Sequence, residues 1–423
     1  MAIHATESAT CSETSWTYPG WKVAAASAVS STAGFASILI YTFGAFIKPL
    51  SAEFGWSRQI VSTAFACASF TLGLCSPVLG YLLDRFGPRR VILPCVAIFA
   101  GAFGSLALLH NSLFQLFATF VIIGAVGNAT AQMGYTRAVL TWFENRRGTA
   151  LAVMMLGGSI GTVVAPVLSQ RLLASVGWRM SYALLALLPM LIAFPLVAVF
   201  VKERPLHPKF KPSVPDAASG GVLRNRAYWL LLATLILGAM STTGVVTQLA
   251  ALLSDRGIKA SDAAYAVAAV GIASCLGRLI TGWLLDRFFA PRIAMALFFT
   301  TAAGFYVLSM AQTLSAGITA TVLIGFSMGG ESDVTPYLLA RYFGMKRLGL
   351  LYGWTWTAYA TSAAFGSVVL ARAFDRSGSY TSMLILFSCA TFFGGVLMLA
   401  MPKYQVQASS AEVLPVAFAP AIE

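Results

Sequence analysis

Apolar residues fill the chain in unbroken runs of about 20, separated by short polar breaks. Twelve such runs can be drawn, at about 22–46, 59–83, 91–109, 114–140, 149–173, 180–201, 228–253, 262–285, 291–311, 315–341, 348–373 and 379–401. Each has the length a helix needs to cross a hydrocarbon layer roughly 30 Å thick. Backbone N–H and C=O groups find no water in that layer, so each run is predicted to be α-helical. The alternating pattern of about ten residues that marks a transmembrane strand is missing. The expected fold class is an all-α membrane protein with twelve transmembrane helices.

One polar interval is long. Lys202 to Arg226 holds Glu203, Arg204, His207, Lys209, Lys211, four prolines and Gly220-Gly221. Such a stretch makes a poor core and a good linker. It divides the chain into a polar tail (1–21), a six-helix bundle (22–201), a cytoplasmic linker (202–227), a second six-helix bundle (228–401) and a C-terminal tail (402–423).

Composition agrees with this pattern. The chain has 423 residues, of which 58% are hydrophobic and 10% charged, and its mean hydropathy is +0.78. So much apolar surface must face lipid, and the bilayer is the first expected partner. The net charge of +13 does not imply a nucleic-acid partner, because the basic residues are scattered through the polar breaks. Their bias sets topology instead. With both termini cytoplasmic, Arg85, Arg89, Arg90, Arg146, Arg147, Arg287, Arg292, Lys346 and Arg347 fall inside, while Arg58, Arg179 and Arg256 fall outside. The plasma membrane (the inner membrane of a bacterium) is the expected location. Residues 1–20 are polar and contain no signal-peptide core. No CxxC, His/Cys cluster or Gly-x-x-x-x-Gly-Lys-Ser/Thr loop occurs, so no metal, cofactor or ATP is expected. No nucleophile, base and metal set suggests an enzyme.

The chain also repeats itself. Gly80-Tyr-Leu-Leu-Asp84-Arg85-Phe-Gly-Pro-Arg89-Arg90 returns as Gly282-Trp-Leu-Leu-Asp286-Arg287-Phe-Phe-Ala-Pro-Arg292, at corresponding places in the two halves. An internal repeat in an apolar chain points to a two-lobed carrier. Gly80 and Gly282 would let helices approach closely. Asp84 and Asp286 could accept hydrogen bonds from a neighbouring helix end or pair with arginines, latching one end until the halves rock. The plainer alternative is that these charges only fix topology.

Those residues resemble the loop signature of the major facilitator superfamily, which implies two pseudo-symmetric six-helix bundles and transport by alternating access. A second signature is similar to the monocarboxylate transporters and bacterial oxalate–formate exchangers within it. Trp142-Phe143-Glu144-Asn145-Arg146-Arg147-Gly148 opens the fifth run, Gly157 and Gly161 follow on one helix face, and Tyr342-Phe343-Gly-Met-Lys346-Arg347 echoes it.

Ionisable residues inside the membrane are the candidates for function. Arg278 lies eight residues before Asp286, about 12 Å deep on a helix, near the midplane. A guanidinium there can hold a carboxylate through two hydrogen bonds. The resemblance implies that role for an eighth-span arginine. The alternative is a structural ion pair with Asp286 or Glu331. Glu331 lies ten residues before Arg341, about 15 Å deep in the tenth span, and it and Asp333 point about 200° apart on a regular helix. Pro336 and Gly329-Gly330 make an irregularity conceivable. Either acid is a candidate coupling residue, with protons as the partner ion. Arg137 reads as structural, paired with Glu144 or Asp84 or reaching the headgroups. Tyr41, Tyr135, Gln248, Tyr337 and Tyr359 are candidate neutral donors to a substrate, with packing roles as the alternative.

Three departures narrow the cargo. No lysine lies between Arg347 and Arg372, where oxalate–formate exchangers carry one. None lies between Lys22 and Lys48, where animal monocarboxylate carriers place one, and Ser274 stands where those carriers have an Asp. A single midplane cation suits a monoanion. The expected function is secondary transport of a small organic anion, most simply a monocarboxylate. An exporter of apolar drugs or metabolites, and a non-transporting sensor or channel, are the alternatives.

Overall fold

The computed structural model describes residues 13, 15, 17–204, 222, 225–256 and 260–403. Most of the expected tails and linker lies outside the described residues. Fourteen α-helices account for the described chain: α1 (Pro19–Thr32), α2 (Phe43–Phe54), α3 (Arg58–Phe86), α4 (Pro88–Ser105), α5 (Leu113–Gly127), α6 (Gln132–Leu140), α7 (Arg147–Leu188), α8 (Phe194–Phe200), α9 (Arg226–Asp255), α10 (Ala260–Leu285), α11 (Ala290–Met310), α12 (Leu314–Phe343), α13 (Leu348–Ser377) and α14 (Thr381–Leu399).

The first and fourth apolar runs, read from sequence as single helices, are each broken. A π-helical turn at Ala36–Ile40 separates α1 from α2, and a 3-10 turn at Asn128–Thr130 separates α5 from α6. The fifth and sixth runs instead join in α7 and its continuation through α8, bent where Gly177 adopts φ 76°. That left-handed backbone is open to glycine at little cost. Nine described helical stretches are long and apolar enough to cross a membrane, and one of them, Arg147–Phe200, contains this bend. Helices α12 and α13 fall short of that apolarity because glycines and hydroxyl residues dilute them, and α12 also carries Glu331 and Asp333. With these two added, and Arg147–Phe200 counted as two, the described residues make twelve crossings.

Small residues bring the helices together. A Cβ on Gly157 would lie 1.7 Å from the Ala28 carbonyl oxygen, and one on Gly366 would lie 1.9 Å from that of Met240. Only glycine allows such backbone contact, which supplies the packing that apolar burial cannot supply in lipid. The buried apolar residues form one cluster spanning both halves at the end that carries Asp84 and Asp286. Toward the opposite end they form two clusters, one from each half. The halves therefore share a core at this charged end and part toward the other.

Candidate functional site

Helices α10 and α12 pack backbone to backbone. A Cβ on Gly277 would meet the Phe326 carbonyl oxygen at 1.9 Å, and one on Gly329 would meet that of Ser274 at 2.0 Å. This approach sets Arg278 of α10 against Asp333 of α12. Arg278 Nη1 donates to Asp333 Oδ1 at 2.8 Å. The arginine is 6% exposed and the aspartate 0%. Among the described residues, Arg278 Nε and Asp333 Oδ2 have no hydrogen-bond partner. The ion pair raised as an alternative for Arg278 thus exists, but with Asp333 in place of Asp286 or Glu331.

Helix α12 stays α-helical through Pro336, so its two acids diverge as a regular helix requires. Glu331 turns away from Arg278 and accepts from the Thr301 hydroxyl of α11 at 3.0 Å. Gly238 of α9 lies beside it, where a Cβ would stand 3.6 Å from Glu331 Oε2.

Tyr41 follows the π-helical turn of the first crossing, is 44% exposed and interacts electrostatically with Arg278. Tyr359 hydrogen-bonds the Thr243 hydroxyl (3.3 Å) and lies within electrostatic range of both Glu331 and Tyr41. These two tyrosines share the neighbourhood of the charged groups. Three candidates do not join it. Gln248 donates to the Ser367 carbonyl at 2.8 Å, tying α9 to α13. Tyr135 is fully buried beside Ser30. Tyr337 donates to the Leu285 carbonyl at 2.7 Å and accepts from Arg341. Sequence reasoning missed Tyr352, a buried residue of α13 that interacts electrostatically with Arg278 and Asp333. Its position one turn before Trp356 was the available signal.

At the charged end the repeat becomes a reciprocal interlock. Asp84 of the first half accepts the N–H groups of Gly349 and Leu350 at the start of α13, each at 2.9 Å. Asp286 of the second half accepts those of Gly148 (2.6 Å) and Thr149 (2.9 Å) at the start of α7, and the Thr149 hydroxyl at 2.6 Å. Each carboxylate satisfies orphan donors at the positive end of a helix in the opposite half. Arg137 pairs with Asp84 and Glu203 and donates to the Met345 carbonyl. Arg341 of the second half donates across to the Glu144 carbonyl of the first at 3.3 Å. Burial pushes the Asp286 carboxyl above its usual value, against the opposing pull of its Thr149 and Gly148 hydrogen bonds and of Arg341.

Gly80 sits against Gly349, and Gly282 against Gly148. The arginines of the repeat do not join the interlock in this way. Arg85 lies over Phe86 and Arg287 over Trp283. Arg89, Arg90, Lys202 and Glu203 line a surface cavity of about 200 Å³.

A twelve-helix bundle of two like halves, interlocked at one end and holding a charge pair in its middle, defines the class of membrane carriers. The model of the Major Facilitator Superfamily matches residues 29–367, and the chain belongs to that family. It is a multi-pass secondary transporter of a small-molecule substrate, not an enzyme. The chain is 28% identical to the MFS transporter asaE of Aspergillus flavus, over 83% of this chain and 78% of that one. It is 24% identical to monocarboxylate transporter 11 of Mus musculus, over 91% and 88%. Among solved structures it is similar to the Escherichia coli transporter FucP, in the outward conformation (TM-score 0.71, 14% identity, 91% of this chain and 98% of that one). The branch read from the Trp142–Gly161 signature agrees with the monocarboxylate-transporter relatives.

Proposed function

We propose that this carrier moves a small monocarboxylate together with a proton, by alternating access, across the plasma membrane. The observation that carries the reading is the half-engaged Arg278–Asp333 pair: a buried guanidinium with Nε unsatisfied, beside a buried carboxylate with Oδ2 unsatisfied. The pair is neutral as it stands. A monoanion that took over Arg278 alone would leave a net negative charge in a low-dielectric site. A proton delivered to Asp333 restores neutrality, so anion and proton travel together and no net charge crosses. Tyr41 and Tyr359 supply neutral donors near the anion, and Glu331 is a second acid able to take part in coupling.

Asp84 and Asp286 serve as gates, breaking and re-forming as bundles 22–201 and 228–401 rock. The positive-inside bias supports placing the interlocked end, and both termini, in the cytoplasm. The present conformation is then the outward one. The relationship to monocarboxylate transporter 11 supports the cargo class.

The test is a thermal-stability screen of purified protein against short organic acids, repeated on Arg278→Ala. An acid that protects the parent and not the variant identifies both ligand and site. Equal protection of both removes Arg278 from the binding role.

A further inference from the structure

Glu13 precedes the first helix, yet its side chain ends on the turn that opens α7. Its carboxylate accepts the backbone N–H groups of Glu144 (2.8 Å), Asn145 (2.9 Å) and Arg146 (3.1 Å). Trp21 donates its indole N–H to the Glu13 carbonyl at 3.1 Å. The rings of Tyr18 and Trp21 meet Phe143 edge-on, with centroids 5.5 and 4.8 Å away. Three successive N–H groups converging on one carboxylate form an anion nest at the positive end of a helix.

The same helix start is held from the other half as well. The N–H groups of Gly148 and Thr149 go to Asp286, and the Glu144 carbonyl, in the turn that Glu13 holds, accepts from Arg341 at 3.3 Å. The corresponding turn of the second half has Gly344, at φ +73°, where the first has Glu144. The interlock therefore depends on the shape of residues 144–149, and the N-terminal segment fixes part of that shape.

We propose that Glu13, anchored by Tyr18 and Trp21, acts as a strap that sets how readily the interlocked end opens. With Glu13 seated, the turn presents its N–H and C=O groups in the register that Asp286 and Arg341 require. With Glu13 released, the turn relaxes, both contacts weaken, and the open form of this end gains population. The strap acts on the gate alone. It stands whether or not the cargo is a monocarboxylate.

Hydrogen–deuterium exchange on the full chain in lipid nanodiscs tests this, comparing the parent with Glu13→Gln and Trp21→Phe. The amide keeps the size of Glu13 and loses its charge, while the phenyl ring keeps the packing on Phe143 and loses the donor. Peptides covering 144–146, 148–150 and 349–351 are followed. In Glu13→Gln, exchange is expected to rise about tenfold in all three, the scale of one charge-assisted hydrogen bond. The rise reaches 349–351 because the Asp84 and Asp286 contacts open in one rocking motion. Trp21→Phe gives the same pattern at smaller amplitude, and decides the matter alone if Glu13→Gln fails to fold. Faster exchange confined to 144–146 overturns the proposal, as does no change in any of the three.

Discussion

Arg278 gives Asp333 a single N–H, at 2.8 Å, and each of the two keeps one polar atom unsatisfied inside the protein. A permanent structural salt bridge would be expected to satisfy more of its donors and acceptors, because orphaned polar atoms are costly in a low-dielectric interior. The geometry fits a pair held ready for a third member.

Removing one partner should separate structure from transport. Arg278→Ala strands Asp333 and is expected to cost about 3–5 kcal/mol, the usual penalty for breaking a buried pair. Arg278→Ala with Asp333→Ala should regain most of that stability, since no buried charge is left alone. Neither variant should transport. Thermal unfolding and vesicle uptake measure the two effects. Uptake that survived in the double variant would remove the pair from the mechanism.

Asp333→Asn addresses coupling. Arg278 keeps a hydrogen-bond acceptor, but the proton site is gone. Counterflow of substrate should persist, while accumulation driven by a pH gradient falls at least about tenfold, as expected when a proton acceptor is lost. In the parent, uptake should be insensitive to membrane potential, because anion and proton cancel. Potential-driven uptake by the parent would contradict one-to-one coupling.

Much of this architecture could be read from the chain, and the limits have physical causes. Run length alone gave twelve crossings, because the bilayer imposes one length on every helix. The repeat drew attention to Asp84 and Asp286 because their spacing from Gly80 and Gly282 is the same in both halves. The breaks at 36–40 and 128–130 were not legible. They contain no proline, and an apolar run reads alike whether its hydrogen bonds are α, π or 3-10. The partner of Arg278 was also missed. Depth placed Glu331 and Asp333 equally well, and the choice between them depends on how α12 is rotated against the glycine face of α10. Glu13 gave no signal, since an isolated acid in a polar tail looks like any other.

The two oxygens of Asp286 allow a graded test of the gate. Asp286→Ala removes every acceptor and should shift this end toward its open form by about tenfold. Asp286→Asn keeps an acceptor and should shift it less. Burial raises the carboxyl of Asp286 in the closed form above the value it has when exposed to water. Protonation therefore favours the closed form. That gain is present at low pH and is lost as pH rises through the raised value. Acidification should not open this contact, and exchange at 148–150, corrected for its intrinsic pH dependence, should not rise below neutrality. A larger shift in the Asn variant than in the Ala variant would contradict this account.

Glu331 makes a different prediction. Among the described residues its carboxylate meets the Thr301 hydroxyl and no cation. An unpaired carboxylate at this depth is a stability cost that a neutral isostere relieves. Glu331→Gln keeps the acceptor for Thr301 and should raise the unfolding temperature by about 1 °C, the shift expected from roughly 1 kcal/mol in a chain of this length. Lower stability would mean that the carboxylate has a favourable partner.

The glycine contacts give the sharpest test of the two-state reading. A Cβ on Gly80 would lie 2.0 Å from the carbonyl oxygen of Gly349 and 2.4 Å from its carbon; one on Gly148 would lie 2.3 Å from the carbonyl oxygen of Gly282. These are backbone atoms of helices in opposite halves. They cannot swing aside as the tip of a side chain can. The clash exists only while this end is closed, so Gly80→Ala should trap the carrier open here without unfolding it. Transport should fall at least about tenfold, and exchange at 148–150 and 349–351 should rise, while the unfolding temperature moves little. Gly101→Ala is the control, since an added Cβ there meets nothing within 4 Å. It should raise helix stability slightly and leave transport intact. If Gly80→Ala transported like Gly101→Ala, the close approach of Gly80 and Gly349 would not belong to the working cycle, and the gate would have to lie elsewhere.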